Sequence, residues 1–284
     1  MKRGTPPDGR RLLLPGMLWL AALGFAPLAI VAAVSFAERG RPFEWALDGS
    51  AWARVLDERW LRVAARSAGL ALATTAICLA IGAPLAWWIS RRSERTRATL
   101  HLLVLVPLWA NTLALLCAWR TILMHGGLLD QAARALGLVG PDETVGVLYT
   151  PGAVLVGLVY ATLPYMVQAC YQSMEKIDAR LLEAAEDLGA TRWTAIRRVA
   201  MPLSRPGMVA GSILVFLPSL SAFVAPDLLG GGKTATLGTL VRDIFDESPA
   251  DWPLGAALGT ALLLVTVAAT WAWFRHAEGG RSLA

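Results

Sequence analysis

The chain has 284 residues, 56% of them hydrophobic and 17% charged, with a formal net charge of +5. Soluble domains carry roughly 25% charged residues, so this composition, with a mean hydropathy of +0.52, excludes an ordinary water-soluble globule. The basic surplus is spread between apolar runs instead of forming one patch, which argues for membrane lipid, and against nucleic acid, as the surrounding partner.

In chain order, six runs meet the length of about 20 apolar residues needed to cross lipid: Leu12–Phe36, Ser67–Ile89, Leu100–Leu123, Gly152–Met174, Pro206–Val224 and Leu254–Phe274. Alternating segments of barrel type are absent, so the expected fold class is an all-α membrane protein with six transmembrane helices. The start "MKRGTPPDGRR" is basic like a secretory leader. The run after it exceeds the apolar core of a leader, about 7–15 residues, so it reads as a retained anchor. The intervening segments then show a charge bias. The tail to Arg11 holds four Lys/Arg, Ser90–Arg97 four and Glu175–Pro206 six, against one in Met124–Pro151 and two in Ala225–Pro253. Only Glu38–Arg66, with six, runs the other way; Arg54, Arg62 and Arg66 there are spaced for a helix resting at the interface. The positive-inside rule puts both termini in the cytoplasm. The expected organisation is a tail at 1–11, a transmembrane domain at 12–274 with a cytoplasmic loop at 175–206, and a tail at 275–284.

Cys78, Cys117 and Cys170 all fall in spans without ligand spacing and read as packing residues. His101, His125 and His276 are scattered, and no catalytic or metal-ligating set is expected. "GGGKT" at Gly230–Thr234 looks like the end of a phosphate-binding loop, but the first glycine of that pattern is replaced by Asp227. It falls in an outer loop and reads as a tight turn.

The long inner loop, "EKIDARLLEAAEDLGATRWTAIRRVAMPLSRP", is too polar to span. Ile177, Leu181, Leu182, Ala185 and Leu188 recur at helical spacing. Gly189 can close that helix in a left-handed conformation, Thr191 can cap a second, Trp193, Ile196 and Val199 share a face, and Pro202 is expected to stop it. The result is a helix–turn–helix whose apolar stripe either lies on the bilayer or docks in a groove of another protein.

Glu183-Ala184-Ala185, then Gly189, Val199 and Met201-Pro202, resemble the "EAA" loop of ABC-transporter permeases of the importer type; the family form ends Ile-x-Leu-Pro. "AIGAPLAWWIS", "LVPLWANTLALLCAWRTIL", the stretch from "LGLVYATLPYMVQ" through the inner loop, and "LSAFVAPDLLGGGKT" are similar to spermidine/putrescine permeases. The resemblance implies a type I importer permease, without ATPase activity or cofactor of its own, in the bacterial inner membrane. Glu183, Ala184, Ala185, Gly189 and Pro202 would couple it to a cytoplasmic ABC ATPase dimer that binds ATP and Mg. A second permease subunit, usually a paralogue, would help enclose the path, and a periplasmic substrate-binding protein would deliver cargo. Trp109, Asn111, Tyr165, Ser221 and Asp227 are candidates for the path, where ring faces and polar groups suit a cationic amine. One departure stands out: the turn Ser221-Ala222-Phe223 carries Ala222 where polyamine-type permeases commonly have an acid, which leaves another small organic nutrient open as cargo. From other classes, an ion-coupled secondary transporter or a membrane scaffold remains; the former would need span carboxylates, which the six runs lack.

Overall fold

The computed structural model describes residues 9–40, 48–140 and 143–279; the outermost parts of both tails, and 41–47 and 141–142 in the expected outer loops, lie outside the described residues. The described chain is helical, without a β-strand. Six helical segments are long and apolar enough to cross a membrane. The fold class is therefore the expected one.

Packing divides the chain into two units, one of residues 1–60 and 241–265 and one of residues 61–240 and 266–284. In the first, α1 (Gly9–Val34) presents an apolar surface of which no residue across Pro15–Val34 is buried among the described residues. Beyond it, Phe36 stacks on Trp52 of α2 (Ser50–Val55), whose indole N–H donates to Ser35 Oγ at 3.2 Å. Arg39 and Arg54 both reach Asp251, each at 2.8 Å.

The second unit holds most of α3 (Glu58–Ser90), then α4 (Glu94–Trp109), α5 (Thr112–Leu123), α6 (Leu128–Ala135), α7 (Pro151–Met174), α8 (Ala179–Asp187), α9 (Arg192–Ala195), α10 (Met201–Leu220) and α11 (Val224–Gly230). After these, α12 (Leu237–Glu247) and α13 (Trp252–Gly279) cross the boundary between the units. The axis of the second unit is α7, the most buried of the six apolar segments. One core gathers around its later turns, where Met166, Val167, Cys170 and Met174 meet Cys78 and Ile89 of α3 and Val215 of α10. The other gathers around its first turns, where Val154 and Leu158 meet Leu116 of α5 and Leu229 of α11. In lipid, helices associate through close packing rather than water release, which favours small residues at contacts. The α7–α10 contact follows this rule: a Cβ at Gly207 would sit 2.5 Å from the Ala169 carbonyl oxygen, and one at Gly211 would sit 2.7 Å from Met166 Sδ. Cys78 and Cys170 are packing residues as expected, whereas Cys117 is exposed.

Three expectations are corrected. The run Leu100–Leu123 is not one helix, because α4 ends at Trp109 and Ala110 turns extended, with ψ 150°. Pro107 removes a backbone donor near that end, and Asn111 then caps α5, its side chain accepting from the N–H groups of Leu113 at 2.8 Å and Ala114 at 3.4 Å. The apolar segment of spanning length runs instead from Thr112 to Ala135. Pro202 does not stop the second loop helix. A π turn at Ile196–Ala200, in which the Met201 N–H bonds the Ile196 carbonyl five residues back, carries the helix from α9 into α10. The wider turn makes room for a ring that would clash in a regular helix. The fifth span ends at Leu220 rather than Val224, and Ser221–Phe223 form a turn before α11.

Candidate functional site

The long loop is built from local turn chemistry. Asp178 caps α8 by accepting from the Arg180 N–H at 3.0 Å. At the other end the Ala190 N–H bonds the Ala185 carbonyl at 3.0 Å, and the Gly189 N–H bonds the Glu186 carbonyl at 2.9 Å. This paired closure needs a left-handed residue between the two helices, and Gly189 supplies it at φ +85°. Thr191 caps α9, accepting from the Thr194 N–H at 3.2 Å. Glu183, Ala184 and Gly189 are exposed and Ala185 is half-buried. The outer part of the apolar stripe is uncovered: Leu188 is 89% exposed and Trp193 68%. Side chains this open in water invite a partner surface. Ile177, at the base of the stripe, is buried, and Leu182 and Ala185 are half-buried.

That base is anchored by residues that sequence reasoning missed. Arg91, in the turn after α3, donates to the Ile177 carbonyl at 3.3 Å, and Arg97 of α4 pairs with Glu175 at 3.3 Å. Arg91 also lies over the Trp87 ring at 4.2 Å, and Arg92 over Trp88 at 4.2 Å. The basic run "SRRSERTR" thus does more than set charge bias, since two of its arginines tie the loop to neighbouring helices. Only the run's charge was visible in the sequence; its partners are about 80 positions away.

The five path candidates are distributed unevenly. Trp109, at the end of α4, is 73% exposed, and Tyr165, midway along α7, is 41% exposed. The Asn111 carbonyl is committed to its capping bonds. Ser221 donates back to the Leu217 carbonyl at 3.2 Å. Asp227, in the first turn of α11, lines a cavity of about 330 Å³ with Arg120, Tyr149, Leu228, Gly231 and Lys233. The other four candidates do not line it.

This cavity accounts for "GGGKT". The segment follows a helix, not a strand: Gly231 and Gly232 close α11 with φ +55° and +76°. Tyr149 also has positive φ, +63°, and its N–H bonds the Leu229 carbonyl at 2.9 Å. A side chain at position 231 would strike the Tyr149 ring, so the glycine permits both the turn and the close approach. Arg120 donates to the Tyr149 hydroxyl at 3.4 Å. The cavity and the loop lie at opposite ends of α7, whose 24 residues span about 36 Å at 1.5 Å per residue.

Comparison with known proteins agrees with this arrangement. Residues 51–276 match the family described as binding-protein-dependent transport system inner membrane component. The spermidine/putrescine transport system permease protein PotB of Salmonella typhimurium strain SL1344 is 37% identical over 251 residues, covering 87% of this chain and 86% of that protein. PotB of Escherichia coli K12 is 36% identical over the same length, covering 87% and 90%. Among solved structures, a bacterial alginate ABC transporter in complex with alginate pentasaccharide-bound periplasmic protein superposes with a TM-score of 0.69 at 17% identity, covering 91% of this chain and 90% of that one. An exposed helix pair in a chain with six apolar segments of spanning length, a family match over most of the length and two curated relatives above 35% identity lead to one conclusion: the chain belongs to the family of binding-protein-dependent transport system inner membrane components.

Proposed function

We propose that this chain is one of two membrane subunits of an ATP-driven importer that carries a polyamine from periplasm to cytoplasm. The observation that carries the reading is the loop Glu175–Pro206, with its glycine-closed helix pair and the exposed Leu188 and Trp193 at the end of the most buried span. The polyamine assignment follows the two PotB relatives.

In this reading both termini and the loop are cytoplasmic. An ATPase dimer binds ATP and Mg and holds Glu183–Gly189 in a groove. When the dimer closes, α8 and α9 are displaced. Because α9 continues through the π turn into α10, and α10 packs through Gly207 and Gly211 on α7, the displacement moves both spans as a body. Access then alternates between the two faces of the membrane. A periplasmic protein delivers cargo at the far end. Along the path, Trp109 and Tyr165 offer ring faces to an ammonium group, each worth about 0.5–2 kcal/mol, while Asn111 and Ser221 supply polar groups and Asp227 a rim carboxylate.

A second reading, another small organic nutrient as cargo, is favoured by one observation: Ala222 supplies no acid where a diamine would meet a counter-charge. Reconstitution with the partner ATPase and a binding protein decides between them. ATP-dependent uptake of radiolabelled spermidine or putrescine into proteoliposomes is the expected result. Uptake without ATP would overturn the importer reading, and ATP-driven uptake of a different solute alone would overturn the polyamine assignment.

A further inference from the structure

The cavity lined by Arg120, Tyr149, Asp227 and Lys233 sits at the rim of the proposed path and carries more positive than negative charge. Its charged side chains are two cations and one acid. Arg and Lys offer donors and no acceptor. Tyr149, whose hydroxyl oxygen accepts from Arg120, retains its hydrogen for another acceptor. The one carboxylate, Asp227, already has a polar or electrostatic partner. The cavity is therefore rich in donors and carries a positive surplus, with the single carboxylate of Asp227 against two cations.

Its construction is also deliberate in physical terms. Three separate segments converge on it: α5 through Arg120, the turn before α7 through Tyr149, and α11 with its glycine turn through Asp227, Gly231 and Lys233. Tyr149 is the only non-glycine with positive φ among the described residues. Bulky residues rarely adopt that conformation, and such outliers persist where the surroundings fix them, often at functional sites. Tyr149, Gly231 and Lys233 all lie in segments between helices.

We propose that this cavity is a socket for an acidic side chain of the protein that delivers cargo. The proposal rests on the importer reading, in which the end of α7 opposite the coupling loop faces the periplasm. A polyamine would be repelled by Arg120 and Lys233, so a second carboxylate to balance them comes from the delivering protein and not from the cargo. Seating it aligns the two proteins over the path, and releasing it weakens the complex after delivery.

The test uses the complete complex in proteoliposomes of phosphatidylethanolamine and phosphatidylglycerol. The initial rate of ATP-driven spermidine uptake is measured against the concentration of the spermidine-loaded binding protein that supports uptake by the unaltered complex. Paired charge reversal, Arg120→Glu with Lys233→Glu, is expected to raise the apparent KM for that protein about tenfold while kcat at saturation is kept. Lys233→Arg should stay near the unaltered value. Added salt should raise the KM of the unaltered complex and lower that of the reversed one, because it screens attraction in the first and repulsion in the second. Membrane level and ATPase pull-down report folding, and if the double variant fails them, Lys233→Glu alone, on a turn outside the helices, carries the same measurement. An unchanged KM overturns the socket, as does a loss of kcat at constant KM, which would place these charges in gating. If KM is unchanged and the variant instead loses its thermal stabilisation by phosphatidylglycerol, the occupant is a lipid phosphate and the socket is likewise wrong. No ATP-driven spermidine uptake by the unaltered complex overturns the polyamine-importer reading on which the socket rests.

Discussion

Gly189 is the residue at which backbone shape and proposed function meet most cleanly. Its φ of +85° suits glycine, and a Cβ there would meet nothing within 4 Å. Replacement therefore tests conformation alone, without a clash. Gly189→Val should strain the turn by of order 1–3 kcal/mol and tilt α8 against α9. Uptake and pull-down of the ATPase should both be lost while the membrane level stays normal, because the spans are untouched. Gly189→Asn, which tolerates this region better, should retain part of both; full activity in Gly189→Val would remove the coupling role. Glu183→Ala should act in the same direction more weakly. Gly189 and the Thr191 cap were legible in the sequence because each acts over three or four residues. Arg91 and Tyr149 were not, since their roles depend on partners brought close only by folding.

At the scale of elements, hydropathy marks where a chain can enter lipid but not where a helix breaks within an apolar run. The break at Ala110–Asn111 illustrates this: the average over Leu100–Leu123 hides a proline and a capping asparagine that together end one helix and begin another. Pro202 errs the other way, since a proline is a stop only when the turn before it is a regular α-helix, and here it is not. The pairing of α7 with α10 was equally hidden, although it is carried by small residues. Gly207→Ala places a methyl against the Ala169 backbone carbonyl, which cannot move aside, whereas Gly211→Ala meets the flexible end of Met166. Overpacking of this kind costs about 1–3 kcal/mol. Thermal unfolding of the purified complex should shift down more for Gly207→Ala than for Gly211→Ala; equal, negligible shifts would mean the two helices are not closely held.

For the molecule as a whole, α7 is the common reference, with the loop at one end and the charged cavity at the other. That arrangement makes topology testable with two probes. A cysteine at Ser93, beside the loop anchors, should resist a membrane-impermeant thiol reagent in intact cells, while one at Gly232 should react, each in a background where Cys78, Cys117 and Cys170 are serine. Labelling of Ser93→Cys from outside would invert the orientation. The π turn between α9 and α10 has a further meaning at this scale. An α-helix advances about 100° per residue, so one surplus residue in a turn sets the azimuth of everything before it relative to everything after. The five residues Ile196–Ala200 fix the compass bearing at which the helix pair leaves the bundle, independently of how far it projects. Deleting Val199 should leave the spans and their insertion intact but swing α8 through roughly a quarter turn, and ATPase pull-down should then fail although every residue of Glu183–Gly189 is still present. In a crankshaft the phase of the throw matters as much as its length, and here the phase is held by a single unpaired step of the helix.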